Sequence, residues 1–336
     1  MATVKDIATH TKLGLATISK YLNGGNVLPQ NREAIDAAIQ ELGYTVNETA
    51  RGLKTNRSRC IGVVIPELNN LFITTIITTI EDILRRRGYA VMISDCRTDP
   101  GREQEAILFM LKRRVDGIIN MPVDGAGAHL LPALSAGLPV VLLDRMVPAL
   151  EGRVSSVLVD NEDAAEQAVS ALLAAGHTEI GIVLGPENVY TTGRRLAGAR
   201  HAMANAGLAV RPALVRYADY TVQGGYEAAR ALLAEEAPTA LFVTNYEMTL
   251  GTILYLNERG MSFPKDISLV GFDNLQLASI LRPRLSVMSQ PLALIAQHAA
   301  KRMLAQLEEN AAPAHVILLA EHLPGETIQQ AKEPVL

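Results

Sequence analysis

The chain has 336 residues, 49% of them hydrophobic and 20% charged, with a formal net charge of −4. That length accommodates two or three domains with real cores, and that balance excludes an intrinsically disordered chain. Trp is absent and aromatic content is 4%, so cores must be built from Ala, Leu, Ile and Val, while two cysteines, Cys60 and Cys96, give no disulfide framework and fit a reducing compartment.

Thr3 with Asp6 three residues later predicts a helix N-cap with an acidic first turn, ahead of inward-facing Ile7 and Ala8. A second short helix is predicted from Leu15 to Leu22, ending at "NGG", where Gly24 and Gly25 tolerate positive φ. Leu15, Ile18 and Leu22 recur at helical spacing, while Ala16, Ser19 and Lys20 stay small or polar. Leu15 therefore stands either in a small core or beside the polar face. Pro29 lies near the start of a third helix, whose stripe of Ile35, Ala38, Ile39 and Leu42 closes at Gly43. The polar, basic "NETARGLKTNRSR" that follows reads as a linker. Residues 1–59 carry eight Lys/Arg against five Asp/Glu, so this segment is net +3 and the remainder net −7. A basic head on an acidic body points to a polyanionic partner, and a solvated surface fits the same small bias.

From Cys60 onward, short β-branched runs alternate with helical-period segments. The runs are "IGVVIP", "YAVMISDC", "DGIINM", "PVVLLD", "SSVLVD", "EIGIVLG", "LFVTN", "SLVGFD" and "LSVMSQ"; helical segments between them include 103–113, 162–175, 194–206 and 224–234. This alternation predicts α/β architecture with helices covering parallel sheets, and about ten strands in roughly 275 residues predict two sheets. Ligands of open parallel sheets bind beyond the carboxyl ends of the strands, where "LLDRM", "LFVTNYEM" and "LVGFDN" place polar residues. "LFITTIITTI" is apolar but short and Thr-rich, whereas a membrane span needs roughly 20 apolar residues. No basic n-region followed by an apolar stretch opens the chain, so the expected location is cytoplasmic, with no membrane partner.

Enzyme signatures are missing. There is no Walker glycine loop or nucleophile elbow, and "DGAGAH" lacks the third glycine of a dinucleotide fingerprint. The seven histidines, His10, His129, His177, His201, His298, His315 and His322, show no metal-ligand spacing. The expectation is a protein without catalytic residues, metal or cofactor.

The ordered fragments "TVKDIATHTKLGLATISKYLNG", "REAIDAAIQELGY", "NETARGLKTNRSRCIGVVIPELNN", "RRVDGIIN", "LPVVLLDR", "AAGHTEIGIVLG", "RRLAGARHAM", "PTALFVTN" and "DISLVGFDN…RPRLSVMSQP" resemble the LacI/GalR repressor family over nearly the whole chain. The resemblance implies an all-α helix-turn-helix head (1–46), a hinge helix (47–59), and a two-lobed parallel-sheet core similar to periplasmic sugar-binding proteins. It assigns 60–159 and 290–319 to the first lobe, 160–289 and 320–330 to the second, and 331–336 to a tail. It further implies a repressor that binds a pseudopalindromic double-stranded operator as a homodimer, under control of a small effector in the inter-lobe cleft. A solute-binding protein or sugar sensor without DNA binding would share the core; the basic helical head argues against it. The C-terminal "AEHLPGETIQQAKEPVL" has no Leu heptads, so a tetramerising coiled coil is not expected.

By the same resemblance, Leu15–Leu22 enters the major groove, with Leu15, Ala16 and Lys20 at base-reading positions. Lys20 can donate to guanine, Leu15 and Ala16 can meet a thymine methyl, and Thr17, Ser19 and Asn23 suit phosphate oxygens. Gly14 replaces the usual capping Ser, and Lys20 replaces the usual Arg and its bidentate fork. In the hinge, Asn47, Arg51 and Lys54 are DNA contacts and Leu53 is the minor-groove wedge. The resemblance assigns Phe72, Ile73, Asp144, Arg195, Tyr220, Asn245 and Asp273 to the effector site. Carboxylate and amide groups suit vicinal hydroxyls, Arg195 adds a planar fork, and Phe72 and Tyr220 can stack on a sugar face. Asp144 and Asn245 suit helix capping equally well. A sugar, sugar acid or sugar phosphate is expected ahead of a purine or nucleoside. Leu71 and Tyr246 depart from the family's usual Pro and Asp.

Overall fold

The computed structural model describes residues 2–22, 24–45, 57–273 and 275–331. The chain divides into two compact units, Met1–Ser58 and Arg59–Leu336.

Among its described residues the first unit contains three helices, α1 (Val4–Thr11), α2 (Leu15–Leu22) and α3 (Pro29–Glu41). Thr3 and Asp6 form a reciprocal capping box at α1, satisfying two otherwise orphaned N–H groups. Pro29 opens α3, where its missing N–H costs nothing. Ile7, Ile18, Ile35 and Ala38 are fully buried at the centre, with Leu13, Leu22, Ile39 and Leu42 packed around them. Leu15 is 48% exposed, so it belongs to the open face of α2 and not to its apolar stripe. The two glycines after α2 have different reasons. Gly24 adopts φ +77°, whereas a Cβ on Gly25 would lie 2.6 Å from Lys20 Cγ. Only Gly24 uses the left-handed region.

The second unit holds twelve strands among its described residues, in two sheets. The first sheet comprises β1 (Cys60–Ile65), β2 (Ala90–Asp95), β3 (Gly117–Asn120), β4 (Val140–Leu143), β5 (Ser155–Val159) and β11 (His315–Leu318), in the order β11-β5-β4-β3-β1-β2 and parallel throughout. The second comprises β6 (Ile180–Leu184), β7 (Val215–Tyr217), β8 (Ala240–Val243), β9 (Ser268–Phe272), β10 (Ser286–Ser289) and β12 (Glu321–Leu323), ordered β12-β10-β9-β8-β6-β7. All nine sequence-predicted runs form strands. The three unpredicted ones, β7, β11 and β12, are short edge strands, and β12 pairs antiparallel with β10.

Central strands such as β3, β4, β8 and β9 are buried along their whole length, as expected where helices cover both faces. Among these helices, α4 (Leu71–Arg86) buries Ile73, Ile76, Ile77, Ile80 and Leu84. Its four threonines turn their hydroxyls back onto carbonyls four residues earlier, at 2.7–3.1 Å, which reconciles a Thr-rich sequence with a helix. His177 is likewise structural: buried, its ring lies 2.9 Å from both Thr239 Oγ1 and Ser268 Oγ and 3.0 Å from the Gln329 carbonyl. Among the described residues no helix is long and apolar enough to cross a membrane.

Candidate functional site

On the first unit, α2 presents Leu15, Ala16 and Lys20 outward, with Thr17 and Ser19 half-buried. Ala16, Thr17 and Lys20 border a shallow hollow completed by Asn26, Val27, Leu28 and Asn31. Leu28 there is 62% exposed, and sequence reading passed over it because it precedes the Pro29 helix and belongs to no stripe. The Lys20 stem runs along Gly25. Asn23, Asn47, Arg51, Leu53 and Lys54 lie outside the described residues.

On the second unit, the carboxyl-end loops of both sheets and the first turns of neighbouring helices line one cavity of about 260 Å³. The seven predicted effector residues all lie on its wall. Phe72 and Ile73 come from the first turn of α4. Asp144 follows β4, Tyr220 follows β7, Asn245 follows β8 and Asp273 follows β9. Arg195 projects from α8 (Tyr190–Asn205). Asp144, Tyr220 and Asp273 adopt φ of +62°, +64° and +61°, an unfavourable region for residues with a Cβ. Such geometry at three strand ends around one cavity is the signature of a site held in place by its surroundings.

Several wall residues are also structural. Arg195 is only 5% exposed; its Nε donates to Asn161 Oδ1 at 2.7 Å, Nη1 donates to the Thr244 carbonyl, and its guanidinium stacks 3.9 Å above the Phe272 ring. Asn245 caps α10 (Tyr246–Glu258) by accepting from the Met248 N–H at 2.9 Å. The Tyr220 hydroxyl meets Thr192 at 2.9 Å, and its ring fills the space that a Cβ on Gly185 would need. Asp144 caps no helix, and its carboxylate lies 3.6 Å from Arg145 Nε.

Among the cavity residues that escaped the sequence reading are Glu67, Asn70, Glu247 and Gln290. Asn70 Nδ2, before α4, donates to Glu247 Oε1 at 2.8 Å and so ties the β1 end of one sheet to the β8 end of the other. Glu247 also accepts from Asn245 at 2.6 Å. Gln290, directly after β10, donates its amide to both Asp273 oxygens at 3.1 and 2.9 Å. Burial pushes the Asp273 carboxyl up to about 7, against the opposing pull of Arg195 and Gln290. Burial also raises Glu247, and raises Glu67 with added repulsion from Glu247 and Asp95. The carboxyl-end rule that singled out Asp144 would also have found Gln290 in "LSVMSQ".

Comparison with known proteins agrees with this geometry. Residues 147–328 match the family described as periplasmic binding protein-like domain. The chain is 35% identical over 293 residues to catabolite control protein A of Priestia megaterium, across 86% of this chain and 88% of that protein. The lac repressor dimer bound to operator and the anti-inducer ONPF matches with TM-score 0.88 at 26% identity, across 98% of this chain and 99% of the other. The transcriptional regulator CelR in complex with cellobiose matches with TM-score 0.74 at 27% identity, across 97% and 100%. With a head of three helices, two facing sets of strand ends and full-length similarity to repressors, the chain belongs to the LacI/GalR family of transcriptional regulators.

Proposed function

We propose that the protein is a cytoplasmic transcriptional repressor that binds a pseudopalindromic operator as a homodimer and responds to a small polyhydroxylated effector. The observation that carries this reading is α2: Ile18 is fully buried while Leu15, Ala16 and Lys20 on the same helix face solvent. An exposed Leu beside a Lys on a short, rigid helix suits a major groove, where a thymine methyl and a guanine edge accept those side chains. Thr17, Ser19 and Asn23 serve phosphates, and Asn47, Arg51, Leu53 and Lys54 serve a hinge that wedges Leu53 into the minor groove. The domain division goes with this reading: head 1–46, hinge 47–59, lobes 60–159 with 290–319 and 160–289 with 320–330.

The effector occupies the cavity lined by Phe72, Ile73, Asp144, Arg195, Tyr220, Asn245 and Asp273. Its mixture of carboxylates, amides and aromatic faces suits a sugar or sugar derivative, the class to which the ligand of the CelR complex belongs. The test is selection of a duplex from a random pool, followed by a salt titration of its binding. A palindromic consensus and a steep loss of affinity with salt are expected, because each neutralised phosphate adds about −0.9 to the log–log slope. A chain that retains no duplex at low salt, yet binds a sugar, is a sensor and not a repressor.

A further inference from the structure

Among the described residues, the cavity wall carries five carboxylates, Glu67, Asp144, Asp219, Glu247 and Asp273, against two guanidiniums, Arg145 and Arg195, and neither Lys nor His. The guanidiniums are held by the protein. Arg195 is bound to Asn161 and the Thr244 carbonyl, and Arg145 Nη1 donates to the Pro122 carbonyl at 3.0 Å, whereas Arg145 Nε, 3.6 Å from Asp144, is buried with no hydrogen-bond partner among the described residues. An anionic ligand would therefore enter a partly desolvated space with excess negative charge, where repulsion is poorly screened.

Gln290 adds a separate requirement, a hydrogen-bond donor on the ligand. It is 6% exposed, lines the cavity, and spends its amide N–H groups on Asp273, but its Oε1 has no partner among the described residues. A buried carbonyl oxygen left unpaired requires a donor. Hydroxyl and ammonium groups supply that donor, and a hydroxyl also supplies the acceptor that Arg145 Nε lacks, so a polyol answers both orphans while the charge balance of the wall selects against its anionic forms.

We propose that the cavity takes an uncharged or amine-bearing polyol, a neutral or amino sugar, and rejects sugar acids and sugar phosphates. Glu67 and Glu247 enforce the rejection, and Gln290 Oε1 accepts from the ligand. The proposal rests on the cavity being the effector site.

The test uses the full-length protein and calorimetric titration at neutral pH. Glucose, galactose and ribose are each compared with their available amino, acid and phosphate forms, including glucosamine, glucuronate and glucose 6-phosphate, alongside cellobiose. On any backbone that binds, the acid and phosphate forms are expected at least about tenfold weaker, a 1.4 kcal/mol difference. The Glu67→Gln, Glu247→Gln double variant should narrow that ratio to about threefold. Acid or phosphate forms that bind as tightly as the neutral sugar overturn the charge selection and leave the cavity reading standing. A ratio that the double variant does not move overturns the assignment to Glu67 and Glu247. Binding that survives Asp273→Ala unchanged, or no binding by any form, removes the cavity reading and the charge selection with it.

Discussion

In the head, the residues that hold the fold and the residues proposed to meet DNA are separate sets on the same helices. Ile18 is sealed in a centre of fully buried Ile7, Ile35 and Ala38, one turn from exposed Lys20 and Leu15. In the cavity of the larger unit the two sets overlap. Arg195 lines the wall and also satisfies Asn161 and Thr244, Asn245 caps α10, and Tyr220 is pinned by Thr192 and the space at Gly185. A convex reader needs a scaffold behind it and freedom in front. A concave, partly desolvated site needs its polar wall groups held by the protein or answered by a ligand, because an unpaired one costs about 1–3 kcal/mol. Chemistry can therefore be removed from the head without loss of fold, and hardly at all from the cavity.

Substitutions can break or sharpen that contrast. Ile18→Ala should have the largest effect, because the buried truncation costs about 2–5 kcal/mol and a domain this small has little more than that to lose. Duplex affinity should fall more than about a hundredfold, with the thermal transition of the larger unit unmoved in calorimetry. Arg195→Ala should cost the larger unit about 3 kcal/mol by stranding Asn161 and the Thr244 carbonyl, which lowers its Tm by several degrees and abolishes effector binding together. If effector binding is lost with no change in Tm, fold and site are separable there too.

Lys20→Ala should leave the head's unfolding unchanged, lower duplex affinity about tenfold and relax base preference in pool selection. Unchanged preference would return Lys20 to an ordinary solvated face. Gly25→Ala should lower duplex affinity and also disturb the end of α2, because the new Cβ would lie 2.6 Å from Lys20 Cγ and 2.9 Å from the Lys20 carbonyl oxygen.

The cavity also carries a pH dependence. Asp273 titrates at about 7 in the folded protein against an ordinary 3.8, so between those values the native state holds a proton that the unfolded chain has released. Its contribution to stability is full below the unfolded value and is lost as pH rises through about 7. The Tm difference between wild type and Asp273→Asn should therefore shrink from pH 5 to pH 8, and a flat difference would place the carboxyl in a wetter environment.

The parts of the fold legible in the sequence were those specified by a few neighbouring residues. Runs such as "PVVLLD" and "SLVGFD" are buried on both faces, and a short apolar run closed by a polar residue marks them. The missed β11 contains an apolar run, Val316 to Leu318, but alternates exposed and half-buried residues, whereas β7 and β12 are three residues long and have no such run to detect. Asp144, Asn245 and Asp273 stood out because strand-end position is a local property. Phe72, Ile73, Arg195 and Tyr220 needed the family resemblance, since an Arg or a Tyr inside a helix or loop has many ordinary uses. Glu247 and Asn70 were illegible: they are 177 positions apart, and what matters about each is the other.

The sequence by itself determined the α/β class, the three-helix basic head, nine of the strands and the repressor-like order of the parts. The first three rest on propensity, capping and periodicity, which act over one or two turns of chain, and the last on the resemblance of the ordered fragments to the family. Tertiary structure alone decided that Leu15 faces out, that Gly25 makes room for Lys20, that the cavity is acidic, and that Asp273 holds its proton toward neutrality. Exposure, desolvation and Coulomb interaction depend on which groups from distant segments arrive at the same place, and no local pattern encodes that meeting.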